Sequence, residues 1–313
     1  MECYFRVLSE ARYLRLIALT CIAFPLASCG GTSSTILNLG VIDSPIDSAS
    51  AVVIAFTGVE LKPSGNAKAI IFNFSTPKSI DLLKEQNGHE AQLLSGASVP
   101  PGNYDWMALL VNVGSGGMLA NSYIEINGAQ FPLSLPMTVS VSPSTQRSLP
   151  VGQRFTLSAN QIANLTIDLN LEQELTLTAS QTYFLDSATS RLINNADAGT
   201  ISGTVALTTL QSNSVCLQKA SLGAGALPNA HVYVFTGTVT PSSSLTPLVE
   251  PEITTSSSGE YTYDQPFLPA GTYTAAIACT STSNTSANTV AAFIPTGGMT
   301  ATVTANQTTV ADF

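Results

Sequence analysis

Apolar and polar positions alternate in short runs along most of the chain, and Gly, Pro, Ser and Asn clusters separate the runs. Residues 51–56 (Ala-Val-Val-Ile-Ala-Phe) and 69–74 are short apolar stretches that predict buried strands. Residues 104–113 predict another, with Tyr104, Trp106, Ala108 and Leu110 on one face. The cleanest alternation runs over 165–177. Leu165, Ile167, Leu169, Leu171, Leu175 and Leu177 point one way, and Thr166, Asp168, Asn170, Glu172, Glu174 and Thr176 the other. That pattern predicts a half-buried strand, or a hairpin turning at Gln173. Only 80–90, with Leu82, Leu83 and charged neighbours, offers a short helix. Residues 186–199 are polar and turn-rich and set a boundary between two halves. Beyond it, 200–207, 230–235, 261–263, 272–279 and 300–303 predict further strands, with turns at 241–244, 256–259 and 295–298. Many short strands punctuated by turns predict an all-β chain of two β-sandwich domains.

The N-terminus reads differently. Arg6, Arg12 and Arg15 precede an apolar run over 16–26. This run has the length of a signal-peptide core and is too short for a bilayer helix, which needs about 20 residues. It ends in Leu26-Ala27-Ser28-Cys29, followed by Gly30 and Gly31. These residues resemble the bacterial lipobox. The resemblance implies that residues 1–28 are a cleaved signal peptide and that Cys29 is acylated as the first mature residue. Residues 29–37 would then be a lipidated tether to the bilayer, and Gly30 would favour the outer membrane in a Gram-negative envelope. The alternative is an ordinary secretory signal with a chance cysteine.

Processing sharpens the composition. The 313 residues hold 11 Lys+Arg against 20 Asp+Glu, for a net charge of −9, with 36 Ser and 36 Thr. Residues 29–313 keep 8 cations and 18 acids, net −10. So few cations exclude the electrostatic footprint of a nucleic-acid binder. Of five cysteines, Cys3 and Cys21 leave with the signal. Cys216 and Cys279 remain as a disulfide pair in an oxidising compartment, or as two buried thiols.

One motif occurs twice, as Val99-Pro100-Pro101-Gly102-Asn103-Tyr104 and Leu268-Pro269-Ala270-Gly271-Thr272-Tyr273. Pro and Gly make the turn, and the Tyr ring can enter the core while its hydroxyl reaches a turn backbone group. With Val41–Asp47, 56–61, 79–83 and 165–171, the first copy gives residues 38–193 a resemblance to a bacterial lipoprotein family of unknown function, DUF4382. The second copy, with 199–205, 227–234 and 256–263, makes residues 199–313 resemble the carboxypeptidase-regulatory-like family, a transthyretin-like β-sandwich. That resemblance implies a fold and, through related starch-binding-like sandwiches, sugar binding in some relatives. Function does not travel with the fold.

Candidate chemistry is sparse. His89 follows a turn signal and reads as exposed, and His231 reads as a packed strand residue. Asp168, Glu172 and Glu174 on one strand face could frame a calcium ion or flank a glycosidic bond, although a solvated face is the ordinary reading. Asp43 and Asp47 flank a Ser-Pro turn. Gly114–Gly117 lacks the Lys of a phosphate loop, and Lys219 sits in a polar loop. No cofactor, metal or nucleic acid is implied, and no enzyme. The expectation is a non-catalytic, membrane-anchored envelope lipoprotein that binds glycan, peptide or another envelope protein, with Trp106 or Tyr123 as possible glycan platforms. A ligand-free spacer is the alternative, and a carboxylate hydrolase a distant third.

Overall fold

The computed structural model describes residues 33–43, 49–86, 88–114, 117–135, 146–177, 182–186, 189–213, 215–216, 230–281, 289–290 and 292–313. The first thirteen strands are β1 (Thr35–Asp43), β2 (Ala51–Pro63), β3 (Ile70–Asp81), β4 (Ala91–Val99), β5 (Gly102–Asn112), β6 (Met118–Ile126), β7 (Ala129–Ser134), β8 (Gln146–Val151), β9 (Phe155–Leu157), β10 (Ile162–Leu169), β11 (Leu175–Leu177), β12 (Tyr183–Leu185) and β13 (Arg191–Asn194). They form a four-stranded sheet in the order β13-β10-β1-β4. A nine-stranded sheet runs β11-β12-β7-β6-β2-β5-β8, with β3 on β2 and β9 on β5. Leu37, Leu39 and Val41 of the small sheet meet Ile54, Phe56, Met107 and Leu109 of the large one in a common core.

The remaining strands are β14 (Ala198–Val205), β15 (Ala230–Thr236), β16 (Thr254–Thr255), β17 (Tyr261–Pro269), β18 (Gly271–Ser281), β19 (Thr289–Val290), β20 (Ile294–Val303) and β21 (Thr308–Val310). One sheet runs β16-β17-β14-β21. The other runs β15-β18-β19, with β20 on β18. Ile201, Val205 and Tyr263 of the former pack against Val232, Val234 and Ile277 of the latter. The chain is therefore all-β and built of packed sheets.

The repeated motif has the same role in both halves. Tyr104 Oη donates to Pro100 O at 2.7 Å, and Tyr273 Oη donates to Pro269 O at 2.7 Å. Both rings are buried, in the first and second core respectively. A phenol can be buried this way because its one polar atom is satisfied four residues upstream.

Several local readings change. The 165–177 run is not one half-buried strand. It is β10, a single helical turn α1 (Leu171–Glu174) and then β11. Asn170 caps the turn, its side chain accepting from Gln173 N at 3.3 Å. Thr166 and Asp168 are buried like the leucines, because neighbouring side chains cover the polar face too. The helix over 80–90 reduces to one 3-10 turn at Leu82–Lys84, since β3 continues through Asp81, whose Oδ1 accepts from Val52 N. In β5 the core face is Met107, Leu109 and Val111 with Tyr104, so Trp106, Ala108 and Leu110 lie opposite. A register shift between Trp106 and Tyr104 flips the phase there. β3 is half-exposed rather than buried, with Ile71 open to solvent. Within 186–199, residues 191–194 are a strand of the first sandwich and 198–205 a strand of the second.

Candidate functional site

Between β13 and β14 lies only the 3-10 turn Asn195–Asp197. This crossing is pinned from both sides. Arg191 pairs with Asp168, its register partner on β10; Asp168 is buried and Arg191 is partly buried. Gln173 Nε2 donates to Pro247 O at 3.2 Å, Ala270 N to Asp197 O at 3.0 Å, and Asn306 Nδ2 to Ala196 O at 3.1 Å. Ser33–Phe313 accordingly forms one compact unit. Hollows open at both ends of the crossing.

The larger hollow, about 370 Å³, lies at the Arg191 end. Asn170, Gln173 and Arg191 form one wall, and Phe235, Val239 and Leu245 the other. Glu174 stands behind the first wall, 2% exposed. It accepts from Ser190 Oγ at 2.7 Å and Thr189 Oγ1 at 3.0 Å, while its Oε2 is buried without a hydrogen bond. Burial pushes its carboxyl up to about 7 against the pull of those hydroxyls, and the nearby Asp168 adds to the rise. Burial also raises Asp168, opposed by the Arg191 guanidinium.

The Asn195 end carries a second feature, an open polar trough. Asn195 lines two hollows at once, of about 300 Å³ and about 250 Å³. Its Oδ1 accepts from Thr166 Oγ1 at 2.9 Å. On one side, Glu90 lies over Gly40, where a Cβ would fall 1.4 Å from Glu90 Oε1, so only glycine leaves room for this carboxylate. Burial raises the Glu90 carboxyl above the usual carboxylate range; the Thr166 hydroxyl, whose one proton is shared between Glu90 Oε1 at 3.3 Å and Asn195 Oδ1, opposes the rise. Asn38 Nδ2 donates to Asn164 Oδ1 at 2.8 Å beside it. On the other side, a Cβ on Gly199 would meet Thr304 O at 2.3 Å, which is how the turn carrying Asn306 and Gln307 docks so closely. Asn306 adopts φ +59° there, and its N donates to Ala198 O. Phe267 has φ +59° at a register shift in β17, a conformation costing about 1–3 kcal/mol for a bulky side chain. Such a bulge re-aims its residue, here into the trough.

The residues singled out from sequence are scattered. Asp168 and Glu174 are buried near each other, but Glu172 is exposed on α1, so the three do not share a face. Among the described residues no three His, Cys, Asp or Glu side chains converge to hold a metal. Asp43 is structural, with Oδ1 accepting from Leu171 N at 3.1 Å. His89 is exposed, and His231 is buried edge-on to Tyr233. Trp106 pairs opposite Lys62 and Tyr123 opposite Val53, up to about 30 Å apart at 3.3 Å per residue, so they form no common platform. Cys216 and Cys279 are bonded, with Cα atoms 5.4 Å apart. Cys29, Asp47, Ser115, Gly116 and Lys219 lie outside the described residues. Sequence reasoning passed over Arg191, Asn195 and Phe267. Arg191 had a signal in its scarcity, since no other Lys or Arg falls between Arg154 and Lys219.

Residues 34–187 match the family model of a domain of unknown function, DUF4382. The DUF4382 match spans β1 to β12, a few residues offset from the expected 38–193. Curated proteins give no match. Among solved structures, the Bacillus anthracis TIE protein aligns over 90% of this chain at 10% identity and a TM-score of 0.18; the chain covers 34% of that protein's length. A candidate cell adhesion protein from Bacteroides fragilis aligns over 90% of this chain and 93% of its own, at 9% identity and a TM-score of 0.19. Both likenesses are too distant to carry an argument about fold or function.

Proposed function

We propose that the chain is a non-catalytic binding lipoprotein of a bacterial cell envelope, anchored through acylated Cys29, with ligand contacts at the junction of its two sandwiches. One observation carries the binding part of this reading: the crossing Arg191–Asp197 is pinned on both sides, yet hollows stay open at both of its ends. A preformed concavity lined by a few polar groups beside aromatic and aliphatic side chains suits a ligand of glycan or peptide chemistry. The lipobox resemblance at Leu26–Cys29 supports the anchor, and the four matching segments after residue 199 support a carboxypeptidase-regulatory-like second domain. The spacer reading draws on the same rigid junction, which suits a stiff arm equally well.

Two experiments separate these readings. Replacing Cys29 by Ala moves the protein from the membrane to the soluble fraction, and wild type yields an acylated N-terminal peptide; membrane retention of the variant with no acyl group in wild type contradicts the anchor. A photo-reactive amino acid at Leu245 or Phe267 crosslinks an envelope component in cells. No adduct from either position, with adducts absent from exposed controls also, leaves the spacer.

A further inference from the structure

We infer that the trough around Asn195 binds an uncharged polysaccharide, a proposal that rests on the binding role above and specifies its ligand class and site. One hollow is lined by residues of the first sandwich and the other by residues of the second, and both share Asn195. Its polar lining is dominated by amides. Asn164 commits its Oδ1 to Asn38, and Asn195 its Oδ1 to Thr166, which leaves the NH₂ end of each as the donor. Asn306 commits its NH₂ to Ala196 O, which leaves its oxygen as the acceptor. Gln92 likewise donates its NH₂ to Leu94 O at 2.7 Å, leaving Oε1. The trough thus presents donors and acceptors of fixed orientation, and a sugar hydroxyl is both donor and acceptor.

The Phe267 ring supplies an apolar face of the kind against which a pyranose packs its C–H bonds. Among the described residues Phe267 is part of none of the hydrophobic clusters, whereas the next residue, Leu268, is fully buried in the second. Charge selects among glycans. Among the described residues, neither hollow is lined by Lys, Arg or His, and Glu90 sits in one of them. A uronate or sulfated chain would meet that carboxylate, on a protein already at net −9, with no cation to offset it. A peptide fits less well, because the lining offers no apolar pocket for a side chain apart from the ring.

The test uses the full chain in detergent, titrated with neutral hexasaccharides of α-1,4-glucose, β-1,4-glucose and β-1,4-N-acetylglucosamine, and with polygalacturonate as the anionic control. At least one neutral hexasaccharide binds, and polygalacturonate does not. Phe267→Ala and Gln307→Ala each weaken that binding by about tenfold, the worth of one good contact. Gln307 makes no side-chain hydrogen bond that folding would miss, and equal urea midpoints for wild type and both variants separate lost contact from lost fold. Ile71→Ala, on the solvent-exposed side of β3, leaves glycan affinity unchanged. Absence of binding to every neutral glycan, or binding that survives both trough substitutions, overturns the proposal. Glycan binding lost only in Leu245→Ala, in the other hollow, overturns the trough while keeping the binding role, and an adduct from Leu245 in cells with no glycan binding does the same.

Discussion

Tyr104 and Tyr273 have the same role four residues after a proline carbonyl, and each can be tested alone. Tyr104→Phe and Tyr273→Phe each lower stability by about 1 kcal/mol in urea unfolding, the net value of one buried hydrogen bond. A loss below the measurement error in both would remove the motif's stabilising role. Glu174 makes a pH prediction. Its carboxyl rises from 4.5 in the unfolded chain to about 7 in the fold. Between those values the unfolded chain ionises and the folded one does not, so its contribution is fully present at low pH and is lost as pH climbs to about 7. The loss is on the order of 3–4 kcal/mol at most, at about 1.4 kcal/mol per pK unit. Glu174→Gln keeps an acceptor for Ser190 and flattens that slope relative to wild type; parallel stability–pH curves would contradict the assignment. The Tyr hydrogen bonds were legible because the motif is local. The Glu174 environment was not, since its hydroxyl partners come from Thr189 and Ser190 across an intervening hairpin.

Strands were legible wherever alternation or an apolar run reported a core face, as in β2, β15 and β18. The misreadings share a cause: each needed information from outside the element. A one-residue register shift moved Trp106 off the face that Tyr104 occupies, and no composition signal marks such a shift. β10 alternates cleanly, yet its polar residues Thr166 and Asp168 are buried because Arg191, Asn195 and Glu90 cover them. Burial of that ion pair makes β10 and β13 sensitive to half-removal. Arg191→Met destabilises by about 3–5 kcal/mol because it strands Asp168, whereas Arg191→Met with Asp168→Leu recovers most of the loss. Denaturant midpoints of the three proteins check this, and a double variant no better than the single would show that the pair's geometry matters more than its desolvation.

At the scale of the molecule, the all-β architecture and a DUF4382 match over the first half are legible in the sequence, and 186–199 marks the boundary between the halves without disclosing the strands it holds. The structure makes that segment a short joint, with one turn between strands of different sandwiches and hydrogen bonds to the second. The site follows from this joint, which is why no motif announced it: Asn38, Asn164, Asn195 and Asn306 are far apart in sequence and individually ordinary. The low charge seen from composition gains a local meaning there, since the described residues of the amide trough include a carboxylate and no cation. Amide hydrogen exchange of the full chain, with and without solubilised envelope polysaccharide and protein, tests the central claim most directly. The account predicts protection concentrated in 189–198, 265–268 and 304–308. Identical exchange with and without the extract, or protection confined to surfaces away from the crossing, would contradict it.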